Sequence, residues 1–198
     1  MAGRPRRRES FAERRARHAA IDDPAVVLEA AARFLEARSR SVSEVRRRLG
    51  GAGYRPDLVD GAIARMTELG MLDDETFARA WVESRDRARP RGERAIREEL
   101  RLKGIDRETI DVVLGERRDR AAASSGTDDA GEDRPPASAD RTAAERLLAK
   151  NARALERVAD PRHRRQRAYA LLARHGFDPE TCREVAATLV ETSDEDSD

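Results

Sequence analysis

The sequence predicts an all-α fold of three tandem three-helix repeats, and three observations carry that prediction. First, a leucine is followed four residues later by a glycine and then by a large apolar residue. The copies are Leu49-Gly50-Gly51-Ala52-Gly53-Tyr54, Leu100-Arg101-Leu102-Lys103-Gly104-Ile105 and Leu172-Ala173-Arg174-His175-Gly176-Phe177. Second, each copy ends a helical pattern and precedes a helix-start signal with a further apolar run, the mark of stacked supersecondary units. Third, charged residues make up 40% of the 198 and aromatics only 4%, which cannot fill a large core but suits slender amphipathic layers. A unit of about 45 residues buries too little surface to stand alone, so the repeats must lean on one another.

Asp23-Pro24 pairs an N-cap with proline at the first helical position, and Val27, Leu28, Ala31, Phe34 and Leu35 share one face of the helix that follows. Ser41-x-x-Glu44 is a capping box opening a short helix with Val42, Val45 and Leu49 inward. A third helix runs from Pro56 to Leu69 and stops at Gly70, a left-handed C-cap. Residues 23–70 thus form repeat 1.

Repeat 2, residues 71–119, opens at Asp73-Asp74, read as two acids capping a helix start rather than as a catalytic pair. Phe77, Ala80, Trp81 and Ser84 form the expected inward stripe, which places the single tryptophan in the core. Pro90-Arg91-Gly92 breaks that helix. Glu93 to Lys103 forms the next, with Ile96 and Leu100 inward, and Asp106 caps the third. Repeat 3 spans residues 141–191, with breaks at Asp160-Pro161 and Asp178-Pro179, which brings the expected count to nine helices and no strand. The motif glycines stand 51 and then 72 residues apart, so a stretch near residues 120–140, rich in Ser, Pro and acids, reads as a flexible acidic linker inserted between repeats. Residues 1–22, basic with seven arginines before position 20, and residues 192–198, strongly acidic, read as disordered tails.

The net charge of +1 conceals a local excess: residues 79–107 hold ten bases against six acids. Arg94, Arg97 and Arg101 fall on one helical face, and Arg85, Arg89, Arg91 and Lys103 flank it. Guanidinium forks match carboxylates and phosphates, so these seven cations are the candidate partner-binding residues. No nucleophile–base set, phosphate loop or zinc spacing emerges; Cys182, His163 and His175 supply too few ligands. The chain is therefore expected to be neither an enzyme nor a cofactor or metal binder. A lone cysteine and the lack of a membrane-length apolar run point to a cytoplasmic monomer.

The central stretch resembles a known family. Leu69-Gly70-Met71-Leu72-Asp73-Asp74, then Phe77-Ala78, Trp81-Val82, Arg85, Gly92, Ile96, Leu100 and Lys103-Gly104-Ile105, is similar in order and spacing to the pattern of the RecX regulators of bacterial recombination. The resemblance extends over residues 28–118 and loosely over 141–190. It implies a non-enzymatic protein whose repeats form an elongated, curved array. It also implies a RecA recombinase filament on DNA as partner, with ATPase, strand-exchange and co-protease activities modulated, chiefly by inhibition, in DNA repair and the SOS response. The alternative from another class is a direct nucleic-acid-binding helical protein. A net charge near zero leaves only weak direct contact with DNA to be expected from it.

Overall fold

A computed structural model describes residues 9–125 and 138–194 of the chain. Ten helices and no strand occur among the described residues. The chain divides into two compact bodies, one running to Phe77 and the other from Ala78.

The first body contains α1 (Phe11–Ala19) and the three helices of repeat 1, α2 (Pro24–Glu36), α3 (Val42–Ala52) and α4 (Pro56–Glu68). Val27 and Ala31 of α2, Val45 and Leu49 of α3, and Val59, Ala62, Ile63 and Met66 of α4 close on one another with Leu72. Helix α1 corrects the expectation that residues 1–22 are a disordered tail, although residues 1–8 lie outside the described chain. Ser10 and Glu13 form a complete capping box at its start. His18 then stacks on Tyr54, with ring centroids 4.3 Å apart, and its Nδ1–H donates to the Ala52 carbonyl at 2.8 Å. The Gly53 backbone approaches Arg15 so closely that a Cβ there would lie 2.8 Å from the Arg15 carbonyl oxygen.

Helix α5 (Asp74–Ala88) begins in the first body and continues into the second, which also holds α6 (Glu93–Leu102), α7 (Arg107–Ser125), α8 (Ala139–Glu156), α9 (Pro161–Arg174) and α10 (Pro179–Asp194). Repeat 2 is α5–α7 and repeat 3 is α8–α10. Ile96, Leu100, Ile110 and Leu114 are fully buried in repeat 2. In repeat 3, Leu147, Leu148 and Leu155 of α8 pack with Ala168 and Leu172 of α9 and with Phe177, Cys182 and Val185 around α10.

The recurring motif has one physical cause. In each copy the glycine takes a left-handed φ, 102° at Gly53, 80° at Gly104 and 81° at Gly176. The next residue's amide then donates back to the leucine carbonyl: Tyr54 to Leu49 at 3.3 Å, Ile105 to Leu100 at 3.1 Å and Phe177 to Leu172 at 3.4 Å. This is the Schellman closure, in which the leucine and the following apolar residue meet across the turn. An Asp-x-x-Thr cap also recurs, with Thr76, Thr109 and Thr181 hydroxyls donating to Asp73, Asp106 and Asp178 at 2.6, 2.8 and 2.5 Å.

Two boundaries of the expected linker move inward. Helix α7 runs on to Ser125 and α8 starts at Ala139, so of residues 120–140 only 126–137 lie outside the described chain. The expected acidic tail begins within α10, whose helix reaches Asp194, and the remainder lies outside the described residues.

Candidate partner-binding surface

Helix α6 carries most of the candidate cations, and its geometry follows from its pattern. Ile96 and Leu100 anchor one face at zero exposure, which turns Arg94, Arg97 and Arg101 outward or sideways. Their environments differ. Arg97 is paired with Glu93, one turn earlier, and with Asp111 of α7. The Arg97 guanidinium holds the Asp111 carboxyl below its ordinary value, and Arg107 adds to that pull. Arg101 meets Glu98 at 3.2 Å on an exposed edge. Arg94 and Arg89 are exposed and have no carboxylate partner among the described residues.

Arg85, Arg91 and Lys103 gather instead around Glu99 and Trp81. Glu99 accepts from the Trp81 indole N–H at 2.8 Å and from Arg85 at 2.6 Å, and lies 3.7 Å from Arg91. The Arg85 guanidinium sits 4.2 Å from the Trp81 ring centroid and the Lys103 ammonium 4.8 Å from it. Trp81 is therefore half-buried between two cations, not in the core, which corrects the expected inward stripe. The buried positions of α5 are Phe77, Ala78 and Val82, while Ala80 and Ser84 face solvent. The stripe shifts because Trp81 needs a partner for its N–H, and Glu99 supplies one only at the rim.

The paired aspartates also divide their work. Asp73 caps its own helix through the Glu75 amide at 2.9 Å. Asp74 reaches back to accept from the Val42 amide at the start of α3, at 2.8 Å. Leu72 is buried in the first body's core, Phe77 is buried too, and Gly104 forms the repeat-2 turn.

Of the seven candidates, Arg97 and Arg101 come together, with Ile105, Arg107, Ile110 and Asp111, around an open groove of about 720 Å³. Asp111 is the carboxylate among those six residues, while Glu93 and Glu98 also pair with Arg97 and Arg101. Arg107 is largely exposed, 3.5 Å from Asp111. It belongs to this surface and is the last base of the positive stretch 79–107, outside the helical face on which the candidates were chosen.

A second feature escapes sequence reasoning because it joins residues far apart in the chain. Arg117 of α7 is only 3% exposed. It bonds Asp86 of α5 at 2.9 Å and Asp140 of α8 at 2.6 Å, and also reaches the Arg91 and Ala139 carbonyls. Asp140 in turn accepts from the Glu93 amide at the open end of α6, at 2.9 and 3.0 Å. One guanidinium thus ties both ends of repeat 2 to the first turn of repeat 3. Beside it, the Gly92 amide donates to the His175 carbonyl at 3.1 Å, and a Cβ on Gly92 would lie 2.2 Å from the Gly176 carbonyl oxygen.

No group of three or more metal-ligating side chains converges among the described residues. Cys182 is buried, and that burial pushes its thiol up, away from the reactive thiolate. No described helix is long and apolar enough to cross a membrane.

The same architecture recurs in known proteins. Residues 28–66, 73–114 and 139–186 match, respectively, the first, second and third three-helix domains of RecX. The chain is 36% identical over 151 residues to the regulatory protein RecX of Mycolicibacterium vanbaalenii, covering 73% of this chain and 72% of that one. It is 34% identical over 163 residues to that of Mycobacterium ulcerans, covering 82% and 84%. The crystal structure of RecX from Lactobacillus salivarius shares the fold at a TM-score of 0.66 and 18% identity, over 86% of this chain and 98% of that chain. With three successive domains matched in order, and relatives aligned over most of their length, the chain belongs to the RecX family of regulatory proteins.

Proposed function

We propose that this protein binds the RecA recombinase filament on DNA and restrains its ATPase, strand-exchange and co-protease activities, in recombination and DNA repair. The observation that carries the reading is the ordered match of all three repeats to a family of regulators. Among the described residues no group of three or more metal-ligating side chains converges, and regulation is read as acting through binding. A tandem repeat suits that role, because its surface grows with its length while its core stays small.

Contact is assigned to the repeat-2 surface of Arg85, Arg89, Arg91, Arg94, Arg97, Arg101 and Lys103. Arg89 and Arg94 are available to a partner's carboxylates or phosphates without breaking any existing ion pair. Arg101 can exchange its exposed bond to Glu98 for a new one at little cost, since exposed pairs contribute only about 0–1 kcal/mol. Arg97, already bonded twice, serves better as the fixed wall of the groove.

The test is a RecA ATPase assay on single-stranded DNA with Arg94→Glu/Arg101→Glu, which leaves the Arg97–Asp111 pair intact. Inhibition is expected to weaken at least tenfold with helicity unchanged, and the loss should shrink at high salt. Inhibition equal to that of the unaltered protein would place the contact elsewhere.

A further inference from the structure

Among the described residues, arginines without a carboxylate partner also gather in repeat 3, at Arg162 and Arg165 of α9 and Arg183 of α10. Helix α9 carries Arg162, Arg164, Arg165, Arg167 and Arg174 and not one acid. Arg162, Arg165, Gln166 and Tyr169 fall at i, i+3, i+4 and i+7, one face of the helix. With Arg183 and Ala186 of α10 they line an open groove of about 320 Å³. Arg183 bonds only the Pro179 carbonyl, and none of the three groove arginines has a carboxylate partner among the described residues. Tyr169 is 36% exposed, while its neighbours Ala168 and Leu172 on the same helix are fully buried. The tyrosine is therefore outside the core, with its ring among cations.

Repeat symmetry shows what has changed here. Counting from the motif glycines, Tyr169 and Arg183 stand where repeat 1 has Arg46 and Asp60 and repeat 2 has Arg97 and Asp111. In both earlier repeats an arginine–aspartate ion pair closes that position, at 3.0 Å between Arg46 and Asp60. In repeat 3 the acid has become an arginine and the arginine an aromatic ring, so the ion pair is replaced by a ring beside an arginine.

We propose that the α9–α10 groove of repeat 3 is a binding site for single-stranded nucleic acid. Arg162, Arg165 and Arg183 take successive phosphates through their guanidinium forks, and Tyr169 offers its face to a base. Flat aromatic faces among backbone-tracking cations are the recognition elements of sequence-tolerant single-strand binding. An acidic protein surface would use the arginines but give the ring no role, and this separates the two occupants. The inference is independent of RecA: it predicts binding to DNA alone.

The probe is a fluorescein-labelled oligothymidylate of about 20 nucleotides, titrated with the full chain and read by anisotropy. Affinity should fall with salt with a log–log slope near −2, as expected for about three phosphates on a single strand. Arg162→Glu/Arg165→Glu/Arg183→Glu should weaken binding at least tenfold, with an unchanged circular dichroism spectrum because all three side chains face solvent. Tyr169→Ala should weaken it at least fivefold and Tyr169→Phe less than twofold. Arg94→Glu/Arg101→Glu, in repeat 2, should leave it within twofold. Unchanged affinity in the triple variant and in Tyr169→Ala would overturn the assignment. So would equal losses from the repeat-2 and repeat-3 variants, which would indicate attraction to charge alone. Displacement of the oligonucleotide by poly-glutamate at equal charge would overturn it in favour of an acidic protein partner.

Discussion

Repeats 2 and 3 descend from the same local rules yet treat their arginines in opposite ways. Repeat 2 surrounds most of its cations with carboxylates: Glu93 and Asp111 at Arg97, Glu98 at Arg101, and Glu99 at Arg85 and Arg91. Repeat 3 leaves Arg162, Arg165 and Arg183 exposed, with no carboxylate partner among the described residues. A neutralised face can meet a partner only by exchanging ion pairs, so its strength depends on the geometry of the replacement. An unneutralised face attracts any polyanion at a distance and holds it weakly. The difference teaches that arginine count is a poor guide to a binding surface, and that the acids packed beside the arginines, one turn away or on the neighbouring helix, decide what they can do.

The largest expected effect is at the link between the two repeats. Arg117→Ala should lower unfolding free energy by about 3–5 kcal/mol, because it leaves Asp86 and Asp140 facing each other without their cation. Chemical denaturation measures it, and a loss under 1 kcal/mol would show the repeats to be held by their apolar contacts alone. Gly92→Ala comes next, at about 1–3 kcal/mol, since the new methyl would overlap the Gly176 carbonyl and force the repeats apart.

Trp81→Ala should cost about 1–2 kcal/mol, the sum of two rim cation–π contacts and partial burial, while Leu100→Ala in the same repeat should cost about 2–5. Equal losses would return the tryptophan to the core. Smaller still is the contrast that defines the two faces. Arg97→Ala should cost up to about 1 kcal/mol, whereas Arg165→Ala should change stability by less than about 0.5, or raise it by relieving repulsion along α9.

The smallest effect is in pH. Asp111 titrates below its ordinary value in the folded protein, so its pair with Arg97 stabilises fully above the unfolded carboxylate range and fades as pH falls through the depressed value. The stability gap between the unaltered protein and Asp111→Asn should therefore be present at neutral pH and close in acid, below about pH 4. A gap independent of pH would mean that the asparagine loses something other than charge.

Most of the fold was legible because it is written in local chemistry. The Leu-x-x-x-Gly-apolar motif states a helix end, a left-handed residue and a closing contact within six positions, and Ser41-x-x-Glu44 states a helix start within four. Ser10-x-x-Glu13 carries the same start signal, yet the surrounding arginines masked it, since charge density argues for disorder unless a docking site such as Tyr54 and Gly53 is known. Trp81 was misplaced for a related reason: its register is that of a core residue, and only Glu99, eighteen positions away, shows where its N–H goes. The partner of Asp74 and the Arg117–Asp140 bond were invisible for the same cause, because each contact spans 23 or more residues.

The Arg117 link has a further consequence for how the chain tolerates change. Residues 126–137 stand in the sequence between α7, held at Arg117, and the start of α8, held to it at Asp140. The connection does not have to orient what it connects. Added chain between two points that are already held together costs about 0.6 kcal/mol of loop-closure entropy per doubling of length, far less than the link itself contributes. Insertions and deletions should therefore accumulate here at almost no thermodynamic penalty, while a single change at position 117 or 140 would weaken the junction between the repeats directly.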